Sequence, residues 1–142
     1  MESNPQLSIE LVWEDNDLEE LLISAHNGRY CGTAKVYFGQ GDIGLLAASI
    51  RGFPKTVSQQ ETFEGSSGSV AKLVFRCIDG SGHPVVIVSL VECVDESARP
   101  SVMNRVELEL RFEPYALDEF CRELELIARR ESKRAVLRGI AA

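Results

Sequence analysis

Gly39-Gln40-Gly41-Asp42-Ile43-Gly44 fits the G-x-G-x-x-G spacing that brings backbone N–H groups against a dinucleotide pyrophosphate. That chemistry needs a buried parallel strand before the motif and a second one after the helix it opens. Here the strand ahead, Tyr30–Phe38, reads as half of a hairpin, and the segment behind, Val57–Phe63, is polar. Asp42 would also place a carboxylate against the phosphates. The motif therefore reads as a tight strand-to-helix turn that uses glycine for its backbone freedom.

A second group is acidic. Glu14, Asp15, Asp17, Glu19 and Glu20 fall within seven positions. Such a cluster is either a solvated loop or an electrostatic contact for a basic partner, and these five are the candidate partner-binding residues. His26 lies beside a hairpin turn and His83 beside Gly82 and Pro84, so both read as turn residues rather than bases or ligands. Cys31, Cys77, Cys93 and Cys121 form no C-x-x-C pair; zinc would require the fold to gather them with a histidine. No Ser-His-Asp or Cys-His arrangement can be read from spacing. No catalytic residue, cofactor site or metal ligand is assigned.

The charge pattern narrows the classes of partner. Net charge is −7, with ten acids against four bases in residues 1–64 and twelve against eleven in residues 65–142. A chain of this balance has no general footprint for phosphate backbones, which argues against nucleic acid. The basic stretch Arg129, Arg130, Lys133, Arg134 and Arg138 is assigned to completing a helix dipole. No apolar run approaches the ~18 residues of a membrane span. The N-terminal Met-Glu-Ser-Asn-Pro-Gln has neither the basic nor the apolar region of a signal peptide, so the expected location is cytoplasmic, with reduced thiols.

The elements that must position these residues follow from periodicity. Leu7, Ile9, Leu11 and Trp13 alternate, predicting a half-buried strand with all four on one face. Leu21–His26 and Tyr30–Phe38 flank Asn27-Gly28, the signal for a type I′ hairpin, and a three-stranded meander is expected. Ile43, Leu46, Ala47 and Ile50 make one helical stripe within Gly41–Arg51, closed by Gly52 and Pro54. Val57–Phe63 reads as an edge strand, and residues 65–69 as a mobile Gly/Ser connection.

Val70–Ile78 and the apolar run Val85–Val94 follow as strands, the latter buried on both faces and central to the sheet. After a loop at Asp95–Pro100, Val102–Phe112 alternates Val106, Leu108, Leu110 and Phe112 with Arg105, Glu107, Glu109 and Arg111. Pro114 opens a long helix to about Arg130, with Leu117, Phe120, Cys121, Leu124 and Ile127 on one face and i,i+4 pairs Asp118–Arg122 and Glu125–Arg129. The tail at 133–142 either frays or extends that helix. The fold class is α+β in one domain, residues 1–142. An antiparallel sheet of about seven strands, ordered βββ-α-ββββ-α, has the short helix and the long C-terminal helix packed on it.

From about Ala25 to Ile127 the chain resembles a group of small bacterial proteins that includes the WapI-type immunity proteins. The resemblance rests on Tyr-Cys-Gly-Thr-Ala-Lys-Val-Tyr-Phe (30–38), an Asp-led helix closing on Gly-Phe-Pro (52–54), Leu-Val-Phe (73–75) and the Gly-led apolar strand at 82–91. Val-Glu-Leu-Glu-Leu-Arg-Phe (106–112) and a helix with Leu-Asp-Glu-Phe (117–120) and Leu124 complete it. The Gly/Ser stretch at 65–69 departs from the pattern. The resemblance implies a non-catalytic partner that neutralises a contact-delivered toxin domain, here a basic one, and it carries no active-site residues. Two other classes stay open. One is a ligand-binding or enzymatic domain with a pocket between the long helix and the sheet; the other is a self-associating homo-oligomeric module that pairs through an edge strand.

Overall fold

The computed structural model describes residues 4–93 and 103–141. Its strands are β1 (Gln6–Glu14), β2 (Leu18–His26), β3 (Cys31–Gly39), β4 (Glu61–Ser66), β5 (Val70–Cys77), β6 (Pro84–Cys93), β7 (Met103–Arg111) and β8 (Arg134–Arg138). Helix α1 (Asp42–Ile50) lies between β3 and β4, and α2 (Pro114–Ala128) between β7 and β8. The loop assigned to Asp95–Pro100 lies outside the described residues.

All eight strands join one antiparallel sheet in the order β7-β6-β5-β4-β3-β2-β1-β8. The α+β class holds, with eight strands in place of about seven. The added strand is the tail. Residues 134–138 neither fray nor continue α2; Ala135, Val136 and Leu137 are buried and the strand pairs with β1 from Gln6↔Arg138 to Glu10↔Arg134. Its far side is closed by α2, because the Val136 N–H donates to Glu123 Oε1 at 2.7 Å. A carboxylate thereby occupies a backbone group that would otherwise offer itself to another strand.

Two further expectations change. β6 is the second strand from the β7 edge, not the middle of the sheet. Its Val86, Val88 and Leu90 enter the core, while Ile87, Ser89 and Val91 lie half-buried on the outer face. The Val57–Phe63 edge strand becomes β4, at Glu61–Ser66 and inside the sheet order. The Ser67-Gly68-Ser69 stretch beyond it is a hydrogen-bonded turn: the Ser67 N–H donates to Ser69 O (2.8 Å) and Ser67 Oγ to Lys35 O (2.7 Å).

β4 meets β3 through one residue pair, Tyr37↔Ser66, whereas every other neighbour is paired over five residues or more. The sheet bends at this thin junction, and its two halves approach each other. A Cβ on Gly32 of β3 would lie 2.5 Å from Val106 Cγ1 of β7. Asn27 Nδ2 donates to Glu109 O (3.2 Å) and the Ile140 N–H to Arg111 O (2.8 Å), so β7 is tied to the β2–β3 turn and to the segment after β8.

Inside the bend lies one core drawn from seven strands and both helices, with Phe63 of β4 packed against it. Phe75 meets Phe53 and Phe112 edge to face, each at 6.3 Å between ring centres. Both helical stripes are buried as their spacing predicts: Ile43, Leu46, Ala47 and Ile50 of α1, and Leu117, Phe120, Cys121, Leu124 and Ile127 of α2. At the corner Phe38 stacks on Phe63 at 4.1 Å, and Gly65 makes room for the Phe38 ring.

Candidate functional site

The β1–β2 hairpin carries the five acidic candidates, and one backbone irregularity decides where they face. Leu11 pairs with Leu21, but Trp13 pairs with Glu20, so Val12 is an extra residue in β1 and forms a β-bulge. An extra residue in a period-two strand reverses the faces beyond it. Trp13 is therefore not on the core face with Leu7, Ile9 and Leu11 but points outward, 47% exposed. The signal in the sequence is a break in alternation, the three consecutive apolar residues Leu11-Val12-Trp13.

The same reversal sends Glu14 to the inner side. It pairs across the hairpin with Glu19, whose side chain is only 2% exposed. Both meet Arg130, which follows the C-terminus of α2. Arg130 Nε donates to both carboxylate oxygens of Glu14 (2.9 Å each), Nη2 to Glu19 Oε2 (2.5 Å) and to Gln40 Oε1 (2.9 Å), and Nη1 to Ile127 O (2.8 Å). The Glu14 carboxyl is held below its ordinary value chiefly by the Arg130 hydrogen bonds and then by Gln40. The Arg130 guanidinium is pushed up in turn, chiefly by Glu14 and against its own partial desolvation.

Arg130 reaches this position through an unusual backbone. Its φ is 61°, a left-handed conformation that glycine normally supplies at a helix end. Its N–H donates to Ile127 O (2.9 Å) and that of Glu131 to Leu126 O (2.8 Å), the two bonds of a Schellman closure. The strain of a side chain in this conformation, about 1–2 kcal/mol, is offset by the ion pairs that the side chain makes. Glu125, expected to pair with Arg129, instead pairs with Arg51, and Arg129 reaches Glu131 at 3.2 Å.

The five candidates thus separate. Asp15 is spent on its own turn: Oδ1 accepts the N–H groups of Leu18 and Asp17 (2.8 Å each), which hold its carboxyl low. Glu14 and Glu19 are spent on Arg130. Of the five, only the Asp17 and Glu20 carboxylates accept no hydrogen bond and make no ion pair among the described residues.

Glu20 lies on the outer face between two aromatic residues that sequence reasoning did not select. Trp13, Glu20 and Tyr37 form one row across β1, β2 and β3. The Trp13 and Tyr37 rings lean together over β2, their centres 6.3 Å apart and their planes at 74°. Tyr37 is 37% exposed, and Val12 and Leu18 extend the exposed apolar surface. A half-exposed tryptophan and tyrosine with unspent carboxylates beside them match the anchor residues of protein interfaces.

The remaining chemical candidates do not assemble. The G-x-G-x-x-G turn is filled by its own aspartate: the Gly39 N–H donates to Asp42 Oδ2 at 2.8 Å, and Gly41 precedes α1 at φ 91°. Gly44 faces Ala128 of α2, with 3.9 Å between its ideal Cβ position and that methyl. The β2–β3 turn centres on Gly28-Arg29, one residue later than expected. Only Gly28 has positive φ, so it is not type I′; Asn27 Oδ1 accepts the Arg29 and Tyr30 N–H groups instead.

His83 Nδ1 contacts Asp79 Oδ2 at 2.9 Å on the exposed β5–β6 turn. Cys121 is buried, and desolvation pushes its thiol to about 11. Among the described residues no three of His, Cys, Asp and Glu converge as metal ligands, and no helix is long and apolar enough to cross a membrane. Surface clefts of about 390 and 320 Å³ lie at the β2–β3 end and between α1 and β4, with no α2 residue in either wall. No protein-family model, curated protein or solved structure matches the chain.

Proposed function

We propose that this chain is a non-catalytic binding protein of the immunity type, which neutralises a basic toxin domain by docking the outer face of the β1–β2 hairpin upon it. The observation that carries this reading is the Val12 bulge, which holds the only tryptophan of the chain out of the core and against Tyr37. Leaving a tryptophan half in water forgoes burial worth about 25 cal/mol per Å² of apolar surface, and a partner that covers it recovers that burial. The surrounding carboxylates and the net charge of −7 suit a basic partner and speed encounter with it. A ligand pocket between α2 and the sheet has less support, because Phe75, Phe120 and Leu124 occupy the core there.

The test is coexpression with basic toxin domains, sought first among genes neighbouring this one. The wild-type chain is expected to restore growth and co-purify with the toxin, and the Trp13→Ala/Tyr37→Ala variant to do neither while remaining folded. Failure of the wild type to protect, or full protection by the double variant, would overturn the reading.

A further inference from the structure

Three side chains of the outer face make a corner with a definite chemistry. The Trp13 and Tyr37 backbones are two strands apart, yet their ring centres approach to 6.3 Å, so the rings form two walls at 74°. Glu20 lies in register between them and is half-buried. Among the described residues neither the Glu20 carboxylate, the Trp13 indole N–H nor the Tyr37 hydroxyl has a hydrogen-bond partner. The cation of the same face nearest in register is Lys35, one row away and opposite Leu22. Arg130 is committed to the inner side through Glu14 and Glu19. An unpaired carboxylate thus belongs to the residue in register between the two that carry the rings.

We propose that the Trp13–Glu20–Tyr37 corner seats one arginine side chain of the partner protein. This rests on the reading that the hairpin face binds a basic protein, and it names the contact. A guanidinium is planar and weakly hydrated, so it stacks on an aromatic face while its edge donates two parallel hydrogen bonds to a carboxylate. A lysine ammonium lies over a ring and donates to a carboxylate, but it lacks the planar fork that stacks and makes two parallel hydrogen bonds at once. Tryptophan gives the strongest cation–π attraction of the three aromatic residues.

Trp13 is the sole tryptophan, so its fluorescence and its single indole N–H resonance report on the corner in the intact chain. Titration with hexa-arginine and hexa-lysine peptides, equal in charge, separates the seat from general attraction. Hexa-arginine is expected to quench Trp13 and to half-saturate at roughly two- to thirtyfold lower concentration than hexa-lysine. Glu20→Gln and Tyr37→Ala should each remove most of that advantage, with circular dichroism unchanged. Asp17→Asn should weaken both peptides alike.

Equal half-saturation by the two peptides, or an arginine preference that survives Glu20→Gln, would overturn the seat and leave the basic-partner reading standing. No response to either peptide would overturn both. If Tyr37→Ala does not fold, Glu20→Gln carries the test alone.

Discussion

Arg130 and Glu19 stand 111 residues apart in the chain and meet at 2.5 Å, an ion pair that joins the end of α2 to the turn end of the β1–β2 hairpin. Removing the cation leaves a buried carboxylate without its charge partner. Breaking a buried pair costs about 3–5 kcal/mol, and the partly exposed Arg130 side chain places this case at the low end, about 3 kcal/mol. Arg130→Ala should lose that much in urea unfolding. Arg130→Gly should lose about 1 kcal/mol less, because glycine adopts the left-handed backbone freely. Equal losses would show that the backbone carries no strain.

Gly65 is fixed by the ring above it. A Cβ there would stand 2.4 Å from Phe38 Cε1. Gly65→Ala should therefore destabilise by about 1–3 kcal/mol, the usual cost of overpacking. Phe38→Leu should recover part of this in the double variant but lower stability alone, and a thermodynamic cycle checks it. Strictly additive effects would argue against the contact.

The Val12 bulge can be removed without moving Trp13 to the other face. Deleting Val12 places Trp13 opposite Glu20 and Glu14 opposite Glu19 in a regular ladder, so the emission wavelength of Trp13 should stay that of an exposed indole. A marked blue shift in a folded deletion variant would mean that Trp13 had turned inward and that the register argument was wrong.

Acid stability should depend on Glu14. Its folded carboxyl titrates below the ordinary 4.5, chiefly because Arg130 hydrogen-bonds it. The group therefore contributes stability in full above its unfolded value, and this is lost as pH falls through the folded one. The Arg130 guanidinium is shifted upward by Glu14, so its own contribution is complete throughout the acid range. Between about pH 5 and pH 3 the melting temperature of Glu14→Gln should fall less than that of the wild type. Parallel curves would remove Glu14 from the account.

The four thiols should react in a fixed order. Cys31 is exposed, Cys77 and Cys93 are half-buried, and Cys121 is buried with its thiol pushed to about 11. Since the thiolate is the reactive form, an aromatic disulfide reagent should label Cys31 first and Cys121 only on unfolding. Peptide mass mapping over time reads the order.

Periodicity made both helices and the strand faces legible because each stripe is a local pattern: Ile43, Leu46, Ala47 and Ile50 need no knowledge of their partners. The site was less legible for three physical reasons. A bulge at Val12 changes the face of every later residue without a distinctive residue type. The segment Arg134–Arg138 is five residues long and flanked by charge, so its strand character comes from β1 rather than from its own pattern. The sorting of Glu14 and Glu19 from Glu20 depends on Arg130, which is distant in sequence and occupies a position where glycine would be the recognisable signal. The acidic cluster lies on the β1–β2 hairpin, but charge alone did not distinguish the carboxylates that brace it from those that face out.

The closure of β1 by β8 also sets an order of events during translation. β1 leaves the ribosome early, whereas Arg134–Arg138 is made after every other strand, and Glu123 has no Val136 N–H to cover until then. A nascent chain stalled before residue 134 holds the β1–β2–β3 meander with one bare backbone edge, a template for strands of other chains. Ribosome-bound intermediates of this length should therefore depend on chaperones that mask exposed strands, and that dependence should end when five more residues have emerged.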